Sequence, residues 1–212
     1  MLEESLARTV RFASGVLLDV GSFDKPFESL FSPYVKEFVA LDLMEPIDSR
    51  RRVDVYGDAR HLPVRAGSAD TVLLTGVLHL VPDPGLVLDE INRTMRPGGH
   101  LICTTPFLWR RQSLRGGTQY CDYYRFSDMG LRYLAQLHGF EVVQVEQRGG
   151  MWAVVSEMIG SHLRSRLGPV KPIRFALQVS LGPVYMMALL LDRLDSDTGE
   201  TLGHTAVMRK AA

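Results

Sequence analysis

From the start of the chain to Glu146, short apolar runs alternate with helical patterns. VLLDV (16–20), EFVALD (37–42), VDVY (53–56), DTVLLT (70–75), HLICTT (100–105) and EVVQVE (141–146) read as strands. Runs of this length, rich in Val, Leu and Ile and bounded by Gly, Pro and Asp, suit strands covered on both faces. Asp24 with Pro26 predicts the start of a short helix, and Asp83 with Pro84 the start of a longer one. An Asx side chain can accept from the amides of a first turn, and proline there has its φ already set. The longer helix places Val87, Ile91 and Met95 on one face and is expected to stop at Arg96-Pro97-Gly98-Gly99. Ser127 predicts the cap of a third helix, with Leu131, Leu134 and His138 inward and Gly139 as its stop. Such alternation builds βαβ units around a parallel sheet.

Beyond Gly150 the pattern changes. From Met158 to Leu191 there is no acid, while Arg164, Arg166, Lys171 and Arg174 are basic. Gly168-Pro169, Pro172 and Gly182-Pro183 predict breaks into short helices. HTAVMRK (204–210) alternates weakly and is expected to return to the sheet as a last strand, which makes 150–203 a helical insertion. The uncharged run Phe175 to Leu191 falls short of the roughly 20 residues that cross a bilayer. The opening MLEESLARTVRF has acids in its first turn and no apolar stretch, so no secretory signal is expected. The expectation is a soluble, cytoplasmic chain with one adhesive surface.

Composition narrows the classes. The 212 residues fit one α/β domain, and 46% hydrophobic with 23% charged residues is globular. Lys plus Arg and Asp plus Glu both count 24, so the formal net charge is zero. That balance argues against nucleic acid as the main ligand, because phosphate neutralisation favours a basic surface. The only cysteines are Cys103 and Cys121, too few for a disulfide framework or a cysteine-based zinc site. The His and acid residues lack metal-ligand spacing, so no metal is expected.

In an open parallel sheet, ligands bind beyond the carboxyl ends of the strands. Those ends carry Asp19-Val20-Gly21-Ser22, Asp42-Leu43, Gly57-Asp58-Ala59 and Thr75-Gly76-Val77. Gly21 permits a sharp turn and a close backbone approach. Asp42 follows Asp19 at roughly the 20-residue distance where an acid ending the second strand grips ribose hydroxyls. Asp58 suits an adenine amino group. A dinucleotide site needs Gly-x-Gly-x-x-Gly at the first turn, and this chain has GSFDKPF with Asp19 beside it. A carboxylate there repels pyrophosphate and suits an ammonium or sulfonium. S-adenosylmethionine carries both, together with a ribose and an adenine.

LLDVGSFDKPF, VALDL, GDARHLPVRAGSADTVLLTGVLHLVPDP and RTMRPGGHLICTTPF, in that order, resemble the class I S-adenosylmethionine-dependent methyltransferases of the small-molecule "type 11" kind. The resemblance covers roughly residues 14 to 146. TPFLWRRQS followed by QYCDYYRFSDMGLRYLAQLHGFE is similar to a bacterial subgroup of them. The resemblance implies a Rossmann-like, mostly parallel seven-stranded sheet flanked by helices, its last strand antiparallel and preceded by the helical insertion. It implies S-adenosylmethionine as cofactor and S-adenosylhomocysteine as product. Asp19, Gly21 and Ser22 then fall in the first motif, Asp42 and Leu43 at the ribose, Asp58 and Ala59 at the adenine, and Thr75, Gly76 and Val77 at the fourth-strand contact. Phe23 stands where the family's first loop has a second glycine, so its Cβ and ring must point away from the cofactor or cover it. His79-Leu80 replaces the family's usual Glu-His.

Methyl transfer needs a base only when the acceptor carries a proton at neutral pH. His79, just past the fourth strand, titrates near neutrality and is the candidate base; packing or cofactor positioning is its competing role. Tyr120 to Arg125 follows the fifth strand, where an acceptor wall would sit. Tyr123 could hold an amine or a methyl by cation–π contact, and Asp122 could orient the acceptor; a packed loop stapled by Phe126 is the plain alternative. Gly116-Gly117 offers a hinge. His61 and His138 read as structural. The acceptor is a small molecule with an oxygen or nitrogen nucleophile, of the sort met in glycan or secondary-metabolite biosynthesis. For the basic insertion three roles stay open: a lid or homodimer interface, attachment to an anionic membrane or a lipid-like acceptor, and ordinary core helices. Two other classes also stay open, a non-catalytic partner subunit that kept the fold and a nicotinamide-dependent oxidoreductase.

Overall fold

The computed structural model describes residues 1–43, 52–110, 122–167, 171–195 and 199–211, with side chains omitted at 167 and 171–181. Seven strands form one mixed sheet. They are β1 (Val16–Val20), β2 (Glu37–Asp42), β3 (Val55–Tyr56), β4 (Ala69–Thr75), β5 (Met95–Pro106), β6 (Phe140–Arg148) and β7 (Gly203–Lys210), in the spatial order β3-β2-β1-β4-β5-β7-β6. β1 lies parallel to β2 on one side and to β4 on the other, with Asp19 opposite Ala40 and Leu73. The strand order therefore reverses between β1 and β4, and in such sheets the crevice that takes a ligand lies at the carboxyl ends there.

The helices are α1 (Leu2–Thr9), α2 (Glu28–Phe31), α3 (Pro84–Thr94), α4 (Asp128–Leu137), α5 (Met151–Leu167) and α6 (Lys171–Leu194). Asp83 caps α3 by accepting from the Leu86 amide at 3.3 Å, and Ser127 caps α4 by accepting from the Gly130 amide at 3.1 Å. Val87 and Ile91 of α3 and Leu131 of α4 are buried with Leu18, Val72, Leu74 and Leu101 of the sheet. On the other face Leu6 and Phe31 pack with Leu17, Leu73, Ile102 and Val207. Gly139 ends α4 at φ 75°, and His138 is held by Asp89 at 2.6 Å.

Four expectations from the sequence need correction. Asp24 does not open a helix: Lys25 sits at φ 55° and α2 begins only at Glu28, behind Phe27. The third strand shrinks to two residues: the Asp54 amide still donates to the Ala40 carbonyl, but the Ala40 amide is taken by the Asp54 carboxylate, which also binds Lys25, and not by a backbone carbonyl. The fifth strand begins not at His100 but at Met95, directly after α3 ends, so Arg96-Pro97-Gly98-Gly99 belongs to β5, which meets β4 through a register shift between Ala69 and Thr71. A Cβ at Gly99 would lie 2.7 Å from the Asp70 carbonyl, so this close strand approach requires glycine. Lastly, Pro172 and Gly182-Pro183 do not divide the insertion. Pro172 occupies the first turn of α6, where no amide hydrogen bond is lost. Pro183 lies inside the helix at an exposed turn, where water can satisfy the freed carbonyl.

The chain divides into two compact units. The first comprises Met1–Pro106, Gln112–Glu146 and His204–Ala212 and contains the crevice; the second comprises Phe107–Arg111 and Gln147–Gly203 and contains α5 and α6. Gly116, Gly117, Tyr120 and Cys121 lie outside the described residues; Cys103 is buried in β5.

Candidate cofactor site

Four strand ends meet at the crevice. After β1 the chain turns at Gly21, φ 76°, where a Cβ would lie 2.2 Å from a methyl of Val77. The absent side chain lets the first loop touch the loop after β4. The Gly21 and Ser22 amides donate to the Leu41 carbonyl at 2.8 and 3.1 Å, which ties the turn to β2. Phe23 follows at φ 50°, its amide donating to Asp42 Oδ2 at 2.7 Å, while the Leu43 amide donates to Asp42 Oδ1 at 2.7 Å. So Phe23, where the resemblance leads one to expect glycine, keeps a left-handed backbone despite its side chain. Holding it costs on the order of 1–2 kcal/mol, set against the bond to Asp42. The Phe23 ring points outward, 57% exposed.

Asp19 is the most unusual residue of the site. It is 0% exposed, and among the described residues neither of its oxygens has a hydrogen-bond partner. Burial pushes its carboxyl up to about 8, the negative charge of Asp42 pushes the same way, and Lys25 opposes them. The Ser22 hydroxyl, also buried, has no partner among the described residues. Orphaned buried polar groups are rare in folded proteins and call for a reason. Together they fit an ammonium or sulfonium ligand, which would supply the missing partner and charge. Asp42 is buried, engaged with two amides, and retains lone pairs for ribose hydroxyls.

After β3, Asp58 is paired with Arg60 through Nη2 at 2.6 Å and Nε at 3.0 Å. That pairing holds the Asp58 carboxyl below the usual range and lifts the Arg60 guanidinium further above its own, with a smaller contribution from Tyr123. Ala59 is buried beneath. After β4, Gly76 turns at φ 65° and donates to the Thr104 carbonyl at 3.0 Å, with Thr75 and Val77 on either side. The next turn holds His79, whose side chain is 0% exposed.

The backbone carbonyl of His79 accepts from the Tyr123 amide at 2.9 Å and the Tyr124 amide at 3.3 Å. The segment before α4 is thereby pinned to the turn after β4, a link the sequence did not disclose. Asp122, with a nearly enclosed side chain, binds Arg125 through both oxygens. Tyr124 donates to the Pro82 carbonyl at 2.8 Å and stacks on Phe126 at 5.6 Å. Tyr123 is 49% exposed and presents its ring outward. The structure thus joins Gly21 to Val77, Phe23 to Asp42 and His79 to Tyr123. Sequence reasoning missed Lys25, which binds Asp54 at 2.8 Å, and Arg60; the Asp-x-Arg spacing of 58 and 60 was the available signal for the latter.

Residues 18–103 match the family described as "Methyltransferase domain". The match spans the strand ends just described, from Asp19 to Val77. Over that stretch the chain is similar to class I, S-adenosylmethionine-dependent methyltransferases. A demethylmenaquinone methyltransferase of Staphylococcus haemolyticus is 43% identical over 49 residues, 23% of this chain and 20% of that protein. A chloroplastic methyltransferase of Arabidopsis thaliana is 38% identical over 58 residues, 27% of this chain and 16% of that one. These matches therefore span about a fifth or less of the relatives' length. Among solved structures, an S-adenosylmethionine-dependent methyltransferase from Mesorhizobium loti superposes with TM-score 0.62 at 14% identity, covering 99% of this chain and 98% of that one. Haemonchus contortus phosphoethanolamine N-methyltransferase 2, in complex with S-adenosyl-L-methionine, superposes at 0.60 and 17%, covering 99% and 52%. A [4+2]-cyclase superposes at 0.62 and 18%, covering 100% and 81%. At such identities the likeness shows the fold alone, and one fold serves several chemistries.

Proposed function

We propose that the protein transfers a methyl group from S-adenosylmethionine to a small-molecule oxygen or nitrogen nucleophile. The observation that carries this reading is the enclosed, orphaned carboxylate of Asp19 beside Asp42 at the strand reversal. A pyrophosphate would meet two acids there, which weighs against a nicotinamide cofactor. A subunit that had lost its ligand would have little reason to keep a buried acid without a partner.

The cofactor supplies an electrophilic methyl on a sulfonium, already a good leaving group, so alignment and exclusion of water account for most of the rate. Asp19 would hold the cationic end, with the Ser22 hydroxyl beside it. Asp42 would accept from the ribose hydroxyls, and Leu43 would flank them. Asp58 would reach the adenine amino group with the lone pairs Arg60 leaves, beside Ala59. Thr75, Gly76 and Val77 would bound the cofactor from β4. Tyr123, outward and fixed through its amide, is the best placed of the three catalytic candidates to touch an acceptor. His79 would act mainly by positioning, through its carbonyl, because its ring is enclosed; a role as base requires that ring to reach the acceptor's proton. Asp122 would position the same segment through Arg125.

Calorimetry with S-adenosylmethionine, S-adenosylhomocysteine and NADH tests the reading. Expected are one site per chain for the first two and none for NADH. Asp42→Asn should weaken binding roughly tenfold or more, the worth of hydrogen bonds at a charged group. Binding of NADH, or unchanged affinity in the variant, would overturn the assignment.

A further inference from the structure

The second unit carries a groove of about 620 Å³ between the segment Phe107–Arg110 and α5. Phe107, Leu108, Trp109 and Met158 form its apolar lining, and Arg110, His162, Arg166, Ser161 and Ser165 its polar lining. Among the described residues the lining holds no carboxylate. Arg110 donates to the Ser161 carbonyl at 3.3 Å, which sets its guanidinium against the α5 wall. On α5 the positions 151, 155, 158, 162 and 166 follow helical spacing, so Met151, Val155, Met158, His162 and Arg166 share one stripe. All five are exposed, and Trp152 and Ile159 beside them are exposed as well. The stripe is apolar at its start and basic at its end. α6, packed on α5, exposes Met186, Met187, Leu190 and Leu194.

So large an exposed apolar area needs an occupant. The charge says which. Between Glu157 and Asp192 the sequence has four basic residues and no acid, and among the described residues Arg164 of α5 is bound by Glu157 at 2.6 Å. A second copy meeting this face about a two-fold axis would bring arginines against arginines. An anionic lipid surface answers both features, phosphates for the arginines and hydrocarbon for the methionines and indoles. Among the described residues no helix is long and apolar enough to cross a membrane, so the contact would lie in the plane of the interface.

We propose that the second unit docks on an anionic bilayer, with a lipid phosphate held in the groove by Arg110, His162 and Arg166, and with Trp152, Met158 and Ile159 seated at the acyl boundary.

The two tryptophans of the chain, Trp109 and Trp152, both belong to this unit and report on it directly. The experiment is co-sedimentation of the full chain with vesicles of phosphatidylcholine, alone or mixed with phosphatidylglycerol, while tryptophan emission is followed. Binding to the mixed vesicles, a blue shift on binding and release by high salt are expected. Arg110→Gln with Arg166→Gln should lower partitioning by about tenfold or more. Ile159→Asp should lower it while the salt dependence persists. Far-ultraviolet circular dichroism and S-adenosylhomocysteine binding confirm that each variant is folded. Equal binding to pure phosphatidylcholine, no binding to either vesicle, or self-association in equilibrium sedimentation that Ile159→Asp abolishes would overturn the proposal. Saturable quenching by hexyl phosphate without vesicle binding would also overturn it, in favour of a soluble ligand.

Discussion

Asp19 shows how one side chain couples stability to binding. Its carboxyl lies near 3.8 in the unfolded chain and is raised to about 8 in the folded one. The folded state therefore holds a proton that the unfolded state releases, and the sign follows: this residue favours folding most below about pH 4. Its contribution falls as pH rises toward 8 and is constant above. Asp19→Asn should remove that loss. The ligand-free variant should be more stable than the native chain at pH 8 by on the order of 1–3 kcal/mol, the cost of an unsatisfied buried group, and similar to it near pH 4. Denaturant melts at the two pH values check this. A bound cation reverses the logic by favouring the charged carboxylate. Affinity for S-adenosylmethionine should rise between pH 6 and 8 with proton release, read from calorimetry in buffers of different ionisation enthalpy, and should be lost in Asp19→Asn. A pH-independent affinity would remove Asp19 from the cation's contacts. Stability given up by a buried acid for the sake of a ligand is a common trade in binding sites.

At the level of elements, the strands and the two capped helices were readable because each announces itself locally. A run such as VLLDV has the hydrophobicity and β-branching of a buried strand, and Asp83 and Ser127 cap within their own turn. Features decided by distant partners were not readable. No local pattern says that the Asp54 carboxylate will take the Ala40 amide and Lys25, or that Pro183 will be tolerated within α6. In the candidate site, the placing of Asp19, Gly21 and Asp42 at neighbouring strand ends was legible because each closes or follows a run that reads as a strand. The bond from Tyr123 to the His79 carbonyl joins segments with no shared pattern. The start of α5 is the plainest example. Gly149-Gly150 offers no cap, yet Asp192 of α6 accepts from the amides of Gly150, Trp152 and Ala153 at 2.9, 2.9 and 3.2 Å. A carboxylate at this end also meets the positive pole of the helix. Asp192→Ala should destabilise the second unit by about 1–2 kcal/mol, and hydrogen exchange should quicken at the first turn of α5 before the rest of the helix. Unchanged exchange there would mean that water replaces the cap without cost.

At the level of the whole molecule, the candidate cofactor residues from Asp19 to Val77 all belong to the first unit, and the residues proposed to meet lipid all belong to the second. One unit is built around an enclosed acid at a strand reversal, the other around exposed methionines and arginines on two helices. The two kinds of contact should therefore respond to different perturbations. Free S-adenosylhomocysteine at a hundredfold excess over its dissociation constant should stabilise whatever binds it by about 2.7 kcal/mol. Hydrogen exchange with and without that ligand locates the gain. Protection should increase at residues 19–23, 41–43, 57–59 and 75–77, where amides such as those of Gly21, Phe23 and Gly76 hold the loops in place. In Asp192→Ala the same protection and the same affinity should remain, although the start of α5 exchanges faster. Loss of S-adenosylhomocysteine binding in that variant, with the sheet still protected, would show that the second unit takes part in holding the cofactor.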